Sequence, residues 1–192
     1  MEKKDLKPAG VFKYFEEICQ VPRPSKKEEK MIAYLKTFGA KHNLETKVDE
    51  AGNVLIKKPA TPGKENLQTV VLQSHIDMVC EKNNDVQHDF LTDPIETEID
   101  GEWLKAKGTT LGADNGIGVA TELAILADDS LVHGPMECLF TVDEETGLTG
   151  AFALHAGFMS GDILLNLDSE VEWEIFIGCG GGIVTVAAFN SK

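Results

Sequence analysis

Six residues in four separate segments carry side chains suited to metal and proton chemistry: His75 with Asp77, Asp114, Glu144 with Glu145, and Asp168. Imidazole and carboxylate donors of this kind suit zinc, manganese or cobalt. Asp143, Glu144 and Glu145 follow the apolar run 138–142, and three like charges at a strand end are costly unless a cation neutralises them. In an extended backbone neighbouring side chains point to opposite sides. Glu144 and Glu145 are therefore expected to face different parts of one site, one binding and the other moving a proton. Taken alone, the same stretch reads as a solvated acidic turn. His75 and Asp77 are two apart and share a face, so Asp77 could hold the tautomer and orientation of the imidazole. Asp114 alone reads as a helix cap, since acids are favoured there, and Asp168 alone as an ordinary strand-end acid. Only their joint placement favours a metal site. His42, His88, His133 and His155 lack comparable acidic company and are expected to be structural or surface residues.

The elements that must position these residues follow from periodicity. Residues 8–21 carry Val11, Phe12, Phe15, Ile18 and Cys19 at helical spacing. The run Val21-Pro-Arg-Pro24 stops that helix, because proline cannot continue a helix interior. Ser25 and Glu28 form the pattern of a capping box for a second helix reaching about residue 43. Residues 44–48 and 54–56 look like a hairpin turning at Ala51-Gly-Asn53. Residues 69–72 form a continuous apolar run, as expected of a central buried strand, and end in Ser74-His-Ile-Asp77. Residues 81–94 are polar and aperiodic, long for a loop without a task. A short strand at 101–106 precedes a glycine-punctuated loop and a helix at about 115–128. The acidic strand end comes next, then a short helix at 148–156. A buried strand at 162–165 leads to Asn166-Leu-Asp168, and strands at 172–177 and 183–189 flank Gly178-Cys-Gly-Gly-Gly182. Helices alternating with buried strands predict an α/β fold, a three-layer α/β/α sandwich around a mixed sheet. The imidazole and the acids would then gather beyond the carboxyl ends of its strands.

Composition narrows the classes further. The 192 residues suffice for one domain with a sizeable core. Hydrophobic content of 42% and charged content of 26% exclude a disordered chain. A net charge of -14 argues against nucleic acid and anionic membrane as partners. Cys19, Cys80, Cys138 and Cys179 show no CxxC pairing, which is unlike a disulfide scaffold or a zinc knuckle and fits reduced thiols. No apolar stretch resembles a secretory signal or a membrane span. A cytoplasmic location is expected. The glycines near 112–118 and 178–182 do not match a strand–GxGxxG–helix fingerprint, so nucleotide binding is disfavoured.

The motifs His75-Ile-Asp77, Gly112-Ala-Asp-Asn115, Asp143-Glu-Glu-Thr-Gly147 and Asn166-Leu-Asp168 resemble, in order and spacing, those of the M20 di-zinc metallopeptidases. The longer stretch from Ser74 to Lys82, His88-Asp-Phe90 with Asp93-Pro-Ile95, and Gly178-Cys-Gly-Gly-Gly182 are more specifically similar to the aminoacyl-histidine dipeptidases of that group. The resemblance implies a zinc-peptidase-like catalytic domain that hydrolyses small peptides. It implies that His75 and Asp168 hold one zinc, that Asp114 bridges to a second, and that Glu145 binds the second. Mn²⁺ or Co²⁺ could replace the zinc. Glu144 would be the general base, and Asp77 would orient His75. Family members carry one more histidine ligand after an inserted lid domain. On this resemblance residues 1–192 are expected to be the N-terminal portion of the catalytic domain, without the lid and the final segment. Such a portion is expected to bind one metal well and the second weakly, and to be poorly active alone. The alternatives are an amino-acid N-deacylase on the same scaffold and a non-catalytic metal-binding domain.

Overall fold

The computed structural model describes residues 2–169, 171 and 174–178. A mixed five-stranded sheet organises the molecule, with strands β1 (Glu45–Val48), β2 (Val54–Lys58), β3 (Val70–His75), β6 (Met136–Thr141) and β7 (Ile163–Asn166). Their spatial order is β1-β2-β6-β3-β7. β1 and β2 form the expected antiparallel hairpin, and β2 pairs antiparallel with β6. β3 runs parallel to both β6 and β7, with Leu72 opposite Cys138 on one side and Leu165 on the other. The parallel strands therefore finish at one edge of the sheet, where the acids and His75 were expected. A separate two-stranded unit, β4 (Thr97–Asp100) with β5 (Trp103–Ala106), stands apart from this sheet. β4 is an addition to the sequence reading, because four residues with one large apolar side chain leave almost no periodic signal.

Helices α1 (Ala9–Cys19), α2 (Glu29–Lys41) and α3 (Ala113–Ala127) contribute to a single core on one face of the sheet. Phe15 and Ile18 of α1, Met31 and Leu35 of α2, and Val119 and Leu123 of α3 meet Val54, Ile56, Leu72, Cys138 and Phe140 there. The opposite face presents Leu55, Val71 and Leu139, covered by Leu154, Phe158 and Met159 in the segment after the short helix α4 (Thr149–Phe152). Strand alternation explains the division: Val54 and Ile56 point one way and Leu55 the other. Lys58 at the end of β2 is buried, and its Nζ donates to the carbonyls of Ile125 and Asp128 at the end of α3. A cation there satisfies carbonyls that the helix leaves open.

Several local expectations need correction. The capping box does not form, since no side chain caps the start of α2. Ser25 donates instead to Asp77, and Glu28 accepts from the N–H groups of Lys26 and Asp143. Both side chains are drawn to the site loops rather than to their own helix. The helix expected at 148–156 is confined to α4. β7 is a strand but not a buried one: Ile163, Leu164 and Leu165 are 40–49% exposed. It ends the sheet order among the described residues, which leaves one strand edge and much of its surface open. Residues 174–178 form no strand. The remainder of the strands expected at 172–177 and 183–189, and of the glycine run 178–182, lies outside the described residues.

Candidate metal centre

His75 ends β3 and is only 1% exposed. Its Nδ1 lies 3.2 Å from Asp77 Oδ1, and its Nε2 lies 3.0 Å from Asp114 Oδ1 and 3.6 Å from Asp168 Oδ1. His75, Asp114 and Asp168 each place one ligand atom within 4.8 Å of the others. One nitrogen and two carboxylate oxygens converging this way is a donor set that fits a divalent metal. The three come from different elements: the end of β3, the start of α3 and the segment after β7.

Asp114 is not a simple helix cap. Gly112 occupies the position before α3 with φ of 68°, and Asp114 and Asn115 depart from helical angles inside the first turn, joined by a cis peptide. The departure turns the Asp114 carboxylate outward, 60% exposed, while Asn115 is buried and its Nδ2 donates to Asp168 Oδ1 at 2.8 Å. Asn115 thereby ties Asp168 to the helix that carries Asp114.

Asp77 is wholly buried and collects donors from three directions. Besides His75 it accepts the Glu144 N–H at 3.0 Å, the Glu145 N–H at 3.2 Å and the Ser25 hydroxyl at 2.7 Å. This overturns the extended geometry expected for the acidic loop. Asp143 has φ of 48°, in the left-handed region, and the N–H groups of Gly147 and Leu148 fold back to the Glu144 carbonyl. Two consecutive amides therefore point at one carboxylate, an arrangement an extended strand cannot offer. The two side chains, each partly buried, extend from this turn. A second group of acids, Glu28, Asp77 and Asp143, is close together and buried. The oxygens of Asp77 and Asp143 and Oε1 of Glu28 are taken up by the donors already named and by the hydroxyls of Thr146 and Thr149 on Asp143.

The electrostatics follow from this crowding. Burial works against a charged His75, but Asp77, Asp168 and Asp114 overcome it and raise the imidazole to about 9. Burial also works against a charged Asp77, yet the His75 contact and the donors from Glu144 and Ser25 hold it at about 2. Glu144 is raised by burial, with Asp168, Glu145 and Asp77 adding repulsion that His75 partly offsets. Glu145 is raised by burial and then by Asp114, and Asp168 by burial and then chiefly by Asp114, with His75 opposing in each case. Metal-free, the cluster is short of positive charge.

Of the six residues expected from the sequence, His75, Asp77, Asp114 and Asp168 are in direct mutual contact or hydrogen-bond relay. Glu144 and Glu145 are bound to the relay by their backbones and feel it through their carboxylates. Sequence reading missed Ser25, Glu28 and Asn115 as members of the site. Asn115 stands inside a quoted motif, so its neighbour relation to Asp114 was the available signal.

Comparisons with known proteins identify the family to which this fold belongs. The description "Peptidase family M20/M25/M40" matches residues 71–185. A curated Escherichia coli protein, cytosol non-specific dipeptidase, is 52% identical over 182 residues, which is 95% of this chain and 38% of that protein. The crystal structure of an aminoacylhistidine dipeptidase from Vibrio alginolyticus superposes with a TM-score of 0.87 at 56% identity, covering 90% of this chain and 35% of that one. An aminopeptidase PepT from Bacillus cereus superposes with a TM-score of 0.71 at 26% identity, over 83% of this chain and 43% of that one. The chain thus spans well under half the length of each of these relatives. The family match takes in more than half of the chain and every one of the six expected site residues, so the chain belongs to peptidase family M20/M25/M40.

Proposed function

We propose that this chain is the N-terminal portion of the catalytic domain of a cytoplasmic, zinc-dependent dipeptidase, acting on aminoacyl-histidine or broader dipeptides. The observation that carries the reading is the convergence of His75 Nε2 with the Asp114 and Asp168 carboxylates, backed by Asp77 on the far side of the ring. The names of the 52% and 56% identical relatives support the dipeptide substrate. His75 and Asp168 would hold one metal, Asp114 would bridge, and Glu145 would serve a second. The lid and a further ligand would belong to the remaining length that the relatives carry. When bound, such a metal pair supplies Lewis acidity, lowering the pKa of water and polarising the scissile carbonyl.

The chain's own residues divide the remaining work. Asp77 fixes the Nδ1 side of His75, leaving Nε2 as the donor atom. The same carboxylate anchors the amides of Glu144 and Glu145, so the base is positioned from the group that positions the ligand. Glu144 accepts a proton from the attacking water and returns it to the leaving amine. Its raised affinity for a proton suits that exchange. A positioned acid–base group of this kind contributes about 10²–10⁴-fold.

The test combines zinc titration with a hydrolysis assay of an aminoacyl-histidine dipeptide. Asp114→Ala is expected to lose the tight zinc site. Glu144→Gln is expected to keep the zinc and lose whatever hydrolysis the parent chain shows. Unchanged zinc binding in Asp114→Ala refutes the ligand assignment, and unchanged turnover in Glu144→Gln refutes the base.

A further inference from the structure

A side chain outside the ligand set joins the backbone segments that carry His75 and Asp114. Arg23 lies in the proline-flanked segment between α1 and α2 and is 2% exposed. Its Nη1 donates to the carbonyls of Ile76 at 3.1 Å and Asp77 at 3.0 Å, and its Nη2 donates to the carbonyl of Gly112 at 2.6 Å. The first two carbonyls directly follow His75, and the third stands two residues before Asp114. One planar, rigid fork therefore joins the two backbone segments that deliver these side chains.

The backbone around Asp114 leaves room for this fork. A Cβ on Gly112 would stand 2.5 Å from Arg23 Nη2, and one on Gly116 would stand 2.7 Å from the same atom. Both glycines flanking Asp114 thus occupy places where any larger residue would displace the guanidinium. Removing the guanidinium alone would leave these three carbonyls without their donor, at a cost in stability. Stability accounts for a donor at this place, and holding three carbonyls in one fixed geometry accounts for its being an arginine.

We propose that Arg23 is a positioning residue for the metal centre, setting the distance between His75 and Asp114 by holding the carbonyls that follow one and precede the other. The inference rests on His75, Asp114 and Asp168 being metal ligands. Lysine is a poor substitute, because its ammonium is a point charge on a flexible stem. Methionine fills the space and donates nothing.

The experiment measures zinc affinity by chelator competition and the visible absorption of bound Co²⁺, on the whole chain and on Arg23→Met, Arg23→Lys and Asp114→Ala. Urea denaturation of each metal-free protein runs in parallel. Arg23→Met is expected to bind zinc about 10- to 100-fold more weakly, as loss of groups behind metal ligands does, with an altered Co²⁺ spectrum. Arg23→Lys is expected to fall between Arg23→Met and the parent. A purely structural role would shift the urea midpoint and leave the zinc affinity and Co²⁺ spectrum of the folded protein unchanged, and that result overturns the proposal. Parent-like zinc affinity in Arg23→Lys overturns it too, and this arm stands alone should Arg23→Met not fold. Parent-like affinity in the Arg23 variants with loss in Asp114→Ala leaves the ligand reading intact. No loss in Asp114→Ala removes both.

Discussion

Replacing Asp77 with Asn keeps the shape of the side chain, removes one charge and turns one acceptor into a donor. The parent carboxylate is wholly buried among the Ser25 hydroxyl, two backbone amides and the His75 ring. Its pKa falls from 3.8 to about 2 despite burial, so its charged form is favoured in the folded state. A fall of about two units corresponds to about 2.5 kcal/mol, at about 1.4 kcal/mol per unit. His75 gives a larger figure, rising from 6.5 to about 9, but that rise includes Asp168 and Asp114. The Asp77 figure is the one specific to this carboxylate, and the two share a contact and are not added. A depressed carboxylate stabilises the fold above its unfolded pKa of 3.8, and the contribution fades as pH falls through about 2. A raised histidine stabilises it fully below 6.5, and the contribution fades as pH rises through about 9. Asp77→Asn is therefore expected to destabilise the metal-free chain by about 2–3 kcal/mol at neutral pH. It is also expected to flatten the alkaline decline, because His75 loses the carboxylate on its Nδ1. Urea denaturation in the presence of chelator, across a pH series, measures both. A loss within the roughly 0.5 kcal/mol typical of neutral surface changes, or an unchanged alkaline slope, refutes the reasoning.

Zinc binding to the metal-free chain at neutral pH is expected to release about one proton, since His75, held at about 9, must give up its proton to become a ligand. Calorimetry in buffers of different ionisation enthalpy reads this directly, and a buffer-independent enthalpy contradicts it. Glu122 of α3 is fully buried beside Ser74 and Cys138, and neither of its oxygens meets a partner at hydrogen-bond geometry among the described residues. Its pKa is driven well above 4.5 by burial, so the folded chain holds a proton that the unfolded chain releases. Glu122→Gln should match the parent below that pH and exceed it increasingly as pH rises, as pH-dependent denaturation would show. Lys58→Met removes the donor that closes α3 at Ile125 and Asp128 and should weaken the fold by about 1–3 kcal/mol. Its thermal midpoint should then fall by about 2–4 °C per kcal/mol, and an unchanged midpoint would show those carbonyls well served by water.

The sheet and the candidate site residues were legible because their signals are local. Residues 70–72 are apolar without interruption, and His75, the acidic loop and Asp168 stand just beyond such runs, where the parallel strands end together. The supporting side chains were not legible for a physical reason. Ser25 and Glu28 have the spacing of a capping box, yet stronger partners lie in the loops of Asp77 and Asp143. Nothing in the proline-flanked setting of Arg23 announces that its acceptors are the carbonyls of Ile76, Asp77 and Gly112, since backbone acceptors carry no residue type. The left-handed turn at Asp143 likewise lacks the glycine that would have marked it. β7 is as apolar as a buried strand, and apolar content alone does not say how many neighbours a strand has.

The strand order also dictates when the site can exist. The β1–β2 hairpin closes over a short turn, but the Glu144 amide meets Asp77 across 67 residues, Asn115 meets Asp168 across 53, and Asn166 meets Gln73 across 93. Contacts between distant segments bear their loop-closure entropy first and are slow to form. A chain with its helices and hairpin in place still has its ligands scattered over three unpaired segments. On the proposed ligand assignment, metal uptake during refolding would therefore be a clock for the last strand pairings, expected to rise with the joining of β6, β3 and β7 and to lag behind helix content.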